Sequence, residues 1–124
     1  MTGRKNILLV DDDHAVTDYL RLKLGKAYDV LATNNPRMVV ALARKERPDL
    51  ILCDIDMPEM DGGDVCRALS DDEHTQHIPI LYLTSIVSRE EVQLMGGQIG
   101  GRPGVSKEAP IDEIIERIRV AIGG

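Results

Sequence analysis

Several functions are excluded by what the sequence lacks. Cysteine is scarce: Cys53 and Cys66 are the two in 124 residues. Both fall at apolar positions of a strand or helix pattern, which suits reduced core thiols better than a disulfide or a metal site. Positive charge is also in deficit, 15 Lys and Arg against 21 Asp and Glu for a net charge of -6, so the bulk surface does not attract nucleic acid or an anionic membrane. The N-terminal region has no long apolar run. Arg4 and Lys5 precede only Ile7-Leu8-Leu9-Val10 before three Asp residues, too little for a signal peptide or a membrane span, and a cytoplasmic chain is expected. The three histidines, His14, His74 and His77, show no metal-ligand spacing and are assigned no chemistry. Repeats and linkers are absent too. The length fits one domain, 1–124 with a core from about 6 to 122, that buries about two-thirds of its unfolded surface.

What is present is an alternation of apolar runs and amphipathic stretches. Ile7 to Val10 reads as a strand and Ala15 to Leu24 as a helix with Val16, Leu20 and Leu24 on one face, closed by Gly25. Tyr28 to Thr33 is a second strand. Asn34-Asn35-Pro36 starts a second helix, with Val39, Leu42 and Ala43 inward, and Arg47-Pro48 breaks it. Leu50 to Cys53, bounded by Asp49 and Asp54, reads as a strand buried on both faces, followed by a loop marked by Pro58 and Asp61-Gly62. A third helix runs from about Gly63 to Leu69, and Asp71 to His74 form a solvated loop. Ile78 to Leu83 make a fourth strand ending in Thr84-Ser85, and Ser88-Arg89-Glu90-Glu91 is a capping box for a fourth helix with Val92 and Met95 inward. Gly96-Gly97, Gly100-Gly101 and Pro103-Gly104 leave a segment of little intrinsic order. A short fifth strand at Val105-Ser106 then delivers Lys107. Ile111, Ile114, Ile115, Ile118 and Ile122 recur at three and four residues, an amphipathic last helix. Five strand–helix units imply an α/β fold, a parallel sheet with helices on both faces.

The chemistry concentrates in carboxylates. Asp54 ends an apolar strand, and Asp11, Asp12 and Asp13 follow another. In open parallel sheets the ligand crevice lies outside the carboxyl ends of the strands. If the two strands are neighbours, these carboxylates share one crevice and repel each other unless a cation joins them. A hard, oxygen-liganded ion such as Mg2+ suits them.

Asp54-Ile55-Asp56-Met57-Pro58-Glu59-Met60-Asp61-Gly62, with Val10-Asp11-Asp12 upstream, resembles the receiver domain of two-component response regulators, over nearly the whole chain from about Asn6 to Ile122. The resemblance implies a flavodoxin-like (βα)5 three-layer sandwich of strand order 2-1-3-4-5, the order also seen in chemotaxis receivers. It implies that Asp54 is the phosphoacceptor, that Asp11 and Asp12 hold Mg2+ with Asp54, and that Asp56 lends the metal a backbone carbonyl. Thr84 becomes the switch hydroxyl and Lys107 the phosphate-binding cation. The implied donor is a histidine kinase or a histidine phosphotransfer protein. The implied output is a downstream effector domain or protein, or a homodimer, reached through the fourth helix, fifth strand and last helix. Such a domain catalyses only its own phosphorylation and dephosphorylation.

Two positions depart from the family pattern: Gly104 stands where an aromatic is usual and Glu108 where a proline is usual. Without the aromatic, ordering of the glycine-rich segment is the expected response to phosphorylation. A degenerate receiver acting as a phosphorylation-independent scaffold is one alternative reading. A hydrolase of the haloacid dehalogenase type is another, although that family places its Asp-x-Asp first and needs more chain for a cap.

Overall fold

Every apolar run becomes a strand because its residues can be buried on both sides of a sheet. In this computed structural model, which describes residues 3–123, β1 (Asn6–Val10), β3 (Leu50–Asp54) and β4 (Ile80–Thr84) are buried almost throughout. β2 (Asp29–Thr33), on the edge, is half-buried. The outer residues of the expected 1–124 span, Met1, Thr2 and Gly124, lie outside the described residues.

The helices start where side chains can satisfy their free N–H groups. α1 (His14–Leu24) is capped by Asp13, whose carboxylate accepts from Ala15 N–H at 2.9 Å. Pro36 opens a 3-10 turn, Pro36–Met38, before α2 (Val39–Glu46). Arg47 takes the left-handed conformation at the end of α2, because Pro48 prevents the helix from continuing. α3 (Gly62–Ser70) and α4 (Arg89–Leu94) carry capping boxes, Asp61 with Asp64 and Ser88 with Glu91. α5 (Ile111–Ile122) buries Ile114 and Ile118.

The parallel order β2-β1-β3-β4 continues into a strand that is longer than expected, β6 (Arg102–Ser106), so the topology 2-1-3-4-5 is present. The glycine-rich segment corrects the expectation. It contains an extra strand, β5 (Gln98–Ile99), paired antiparallel with β6 through Gln98↔Pro103 and Ile99↔Arg102. Gly100 and Gly101 make the two-residue turn with φ of 58° and 81°, the double left-handed geometry that matches hairpin twist and that L-residues with side chains adopt at a cost. The same glycines that suggested little order build the turn. Met95 also departs from expectation: α4 is six residues long, and Met95 at its end is half-exposed.

Alternation along the strands splits the core in two. Leu8, Ile51, Cys53 and Tyr82 face α2 and α3, whereas Ile7, Leu9, Leu52 and Leu83 face α1 and α5. Both cysteines are buried and free. Among the described residues, no helix is long and apolar enough to cross a membrane.

These layers set the fold's sensitivity. Ile118→Ala, at a fully buried site, should cost about 2–5 kcal/mol, whereas Val120→Ala on the exposed side of the same helix should stay within about 0.5 kcal/mol. Urea unfolding of the two variants measures the difference, and equal losses would contradict the packing described.

Candidate functional site

Register decides which side chains meet. Val10 pairs with Cys53, so Asp11, the first residue past β1, comes beside Asp54 at the end of β3. Thr84 ends β4 and pairs with Ser106, which puts Lys107 just past β6 at the same edge. The backbone fixes these exits: Asp11 N–H donates to Thr33 O at 3.2 Å, Ile55 N–H to Leu83 O at 3.2 Å and Lys107 N–H to Thr84 O at 2.7 Å.

At this edge the Lys107 ammonium lies 2.6 Å from Asp11 Oδ2 and 3.2 Å from Asp54 Oδ1. Both carboxylates are almost fully buried. Asp11 Oδ1 accepts from Asp13 N–H at 2.9 Å, and Asp56 N–H faces Asp54 Oδ1 at 3.4 Å. Asp11 Oδ2 has no well-directed hydrogen bond, so the ammonium stands beside it as a counter-charge while part of its coordination remains free. Asp12 completes the group, with one oxygen each from Asp11, Asp12 and Asp54 lying within 4.8 Å of one another.

Three carboxylates and one ammonium leave two negative charges in excess when all are ionised. Burial, and after it the charge of Asp11, raise the Asp54 pKa from 3.8 to about 6, against the opposing pull of Lys107 and the Asp56 N–H. Burial also works against the Lys107 ammonium, but the close negative charge of Asp11, then that of Asp54, outweighs it and holds its pKa above the ordinary value. The donor set is all oxygen, the buried Asp11 Oδ2 has the ammonium beside it but no directed hydrogen bond, and negative charge is in excess. These residues fit a hard divalent cation such as Mg2+.

Asp11, Asp12, Asp54 and Lys107 are therefore brought together. Asp56 contributes an N–H to Asp54. Thr84 is buried at the same edge, but its Oγ1 accepts from Ile86 N–H at 3.1 Å. The departures from the family pattern have local explanations. Glu108 uses the N–H that a proline would lack, donating to Ser106 Oγ at 3.1 Å, and Gly104 lies beneath the hairpin. Sequence reading missed Asp13 as the helix cap, although an Asp just before a periodic apolar stretch is the usual signal. It also missed Asn34, whose Nδ2 donates to Asp11 O at 2.8 Å and Thr17 Oγ1 at 3.0 Å. No local pattern marks that link.

Residues 7–119 match the family model described as the response regulator receiver domain. The chain is 37% identical over 115 residues to the response regulator PleD of Caulobacter vibrioides, covering 92% of this chain and 25% of that protein. It thus spans about a quarter of PleD's length. It is 32% identical over 121 residues to the polar-differentiation response regulator DivK of Brucella anthropi, covering 96% of this chain and 97% of that one. The fold is shared with the receiver domain of a sensor histidine kinase of Pseudomonas aeruginosa PAO1, solved with a magnesium ion coordinated in its active-site cleft. The TM-score there is 0.81 at 22% identity, over 98% of this chain and 100% of the other.

The raised Asp54 pKa has a definite sign in stability. Its folded value of about 6 exceeds the ordinary 3.8, so the contribution of Asp54 is fully present below about pH 4 and is lost as pH rises through about 6. With chelator present, Asp54→Asn should be more stable than wild type by about 1–3 kcal/mol above about pH 7, and the advantage should vanish near pH 4. Urea unfolding across this range is the check. A gap that stays constant with pH would contradict the burial argument.

Proposed function

Because the chain belongs to the response regulator receiver family, a family of signalling domains, we propose that Asp54 accepts a phosphoryl group and that the domain relays this event through the face of α4, β6 and α5. The observation that carries the reading is the Lys107 ammonium set between buried Asp11 and Asp54, at 2.6 and 3.2 Å, with Asp12 beside them.

Asp54 is the nucleophile. Its carboxylate oxygen forms the new P–O bond as the P–N bond of a phosphohistidine breaks, and the leaving imidazole nitrogen regains a proton from solvent. A carboxylate is a weak nucleophile and the donor is anionic, so positive charge at fixed positions must provide most of the acceleration. Lys107 is one such charge, tied to β4 through its own N–H and held protonated by its two carboxylates. Asp11, Asp12 and Asp54 would hold Mg2+, with the Asp56 backbone carbonyl. The bound ion would neutralise the excess negative charge and polarise the phosphoryl oxygens. Thr84, buried one strand away, supplies the hydroxyl that turns to a phosphoryl oxygen on Asp54.

The donor is a histidine kinase or a histidine phosphotransfer protein. An apolar cavity of about 220 Å3 between α1 and α5, lined by Val16, Tyr19, Leu20 and Ile114 and reaching Lys107, offers apolar surface beside the site for such a donor to contact. Downstream, an effector domain or protein, or a second copy of the chain, engages the α4, β6 and α5 face. With a net charge of -6, nucleic acid is not read directly. The domain works as a single unit on the cytoplasmic side. The scaffold alternative relied on Gly104 and Glu108, and both residues have structural roles that leave the acidic site intact. Family membership sets the dehalogenase alternative aside.

Acetyl phosphate with Mg2+ should add one phosphate to wild type and none to Asp54→Asn, read by intact mass. Chelator should abolish labelling, and Lys107→Ala should slow it by about 100-fold or more. Equal labelling of wild type and Asp54→Asn would remove Asp54 from the role. Mg2+ at millimolar concentration should also raise the melting temperature of wild type but not of Asp12→Ala; an unmoved wild-type curve would contradict the metal site.

The phosphorylated form should be long-lived. Ile86, two residues past Thr84, is 70% exposed and its side chain offers a water neither donor nor acceptor, while Asp56 would repel a hydroxide-like nucleophile. Loss of the label within seconds of removing acetyl phosphate would contradict this.

A further inference from the structure

Gly104 has no side chain on its face of β6, and the other arm of the hairpin fills the space. A Cβ built on Gly104 would lie 2.3 Å from Ile99 Cδ1, 2.6 Å from Cγ1 and 3.3 Å from Cβ. Ile99 therefore sits in a notch that any other residue at 104 would close. It packs, partly buried, against the cluster that contains Tyr82. Tyr82 pairs with Gly104, and Thr84, two residues further on the same face of β4, pairs with Ser106. The Ile99 side chain thus covers the Gly104 position, one step along the same sheet face from the row of Thr84 and Ser106.

α4 is suspended between Thr84 and Ile99. Thr84 ties the approach to the helix, accepting from Ile86 N–H at 3.1 Å. Beyond the helix the chain runs through Gly96 and Gly97 into β5, with Gly97 N–H on Val92 O at 2.9 Å and Gly104 N–H on Gly97 O at 3.0 Å. Val92 is the one buried residue of a six-residue helix. So short a helix has little stability of its own and depends on the contacts of Val92 and of its two ends.

We infer that α4 and β5 form one movable arm, latched by Ile99 in the Gly104 notch, and that this arm reports the state of Thr84. The inference rests on the phosphoacceptor reading. A phosphoryl group on Asp54 gives the Thr84 hydroxyl a new acceptor and draws Oγ1 away from Ile86 N–H. That loosens the arm at its start, and the seat of Ile99 governs whether its far end follows. Arg89 to Glu113 at 2.7 Å and Arg117 to Gly97 O at 2.7 Å brace the arm against α5, so its movement would alter the α4 and α5 surface.

Two measurements test this separately. In a double-mutant cycle read by melting temperature without Mg2+, Gly104→Ala should lower the value by about 4–10 °C. The loss should shrink by half or more in an Ile99→Ala background, where the notch is empty. Hydrogen exchange with Mg2+ and beryllium fluoride should change over residues 86–102 of wild type. Ile99→Ala should bind the fluoride complex within about two-fold of wild type yet lose that change. Additive effects in the cycle, or an undiminished exchange response in Ile99→Ala, overturn the latch. Failure of wild type to bind the fluoride complex overturns the phosphoacceptor reading and the reporting role together, while the cycle alone still decides whether Ile99 occupies the notch.

Discussion

The contact of the Lys107 ammonium with two buried carboxylates is the constraint around which this structure is arranged. Asp11 and Asp54 stand at the ends of adjacent strands and are almost entirely removed from water, a placement that is strongly unfavourable for two like charges without a counter-charge. Lys107 provides one charge from just past the end of β6, on the other side of β4. The order β1-β3-β4-β6 and the register of each pair are what put these three groups within contact. The hydrogen bond of Lys107 N–H to Thr84 O and that of Glu108 N–H to Ser106 Oγ hold the turn that presents the lysine.

The site is rigid where its chemistry needs fixed charges. Asp11 and Asp54 end strands that are buried almost throughout, with aliphatic layers on both faces, so displacing them would disturb the core. The segment from Ile86 to Arg102 contrasts with this. It has a short helix with one buried residue and a two-residue strand, and Ile86, Leu94 and Met95 are exposed. Local stability follows buried apolar contact. The region beside Thr84 is therefore the one able to rearrange at low cost, and the acid cluster is not.

The glycine at 104 is linked physically to the hairpin that precedes it. A side chain at 104 and an Ile at 99 cannot both occupy the notch in the observed arrangement. The hairpin turn in turn requires residues that tolerate positive φ, as Gly100 and Gly101 do. Glycine at 104, isoleucine at 99 and the glycine pair are three parts of one local solution in which the hairpin supplies the side chain that β6 omits.

Much of this was legible in the sequence. The five parallel strands and their helices are encoded locally: apolar runs such as Leu50 to Cys53 can only be buried, and Ser88 with Glu91, Gly25 and Pro48 mark helix ends through their own backbone and side-chain chemistry. The acidic edge was legible because two apolar runs both stop at Asp, and parallel strands align their carboxyl ends. Tertiary structure decided the rest. β5 is too short to carry a periodic signal, Met95 turned outward because α4 stopped before the core could reach it, and the bond from Asn34 to Asp11 joins residues whose neighbours predict nothing about each other. The Ile99 notch lies in this class as well. It depends on an absent side chain and on the register of a turn, and steric fit between two arms is fixed only once both are in place.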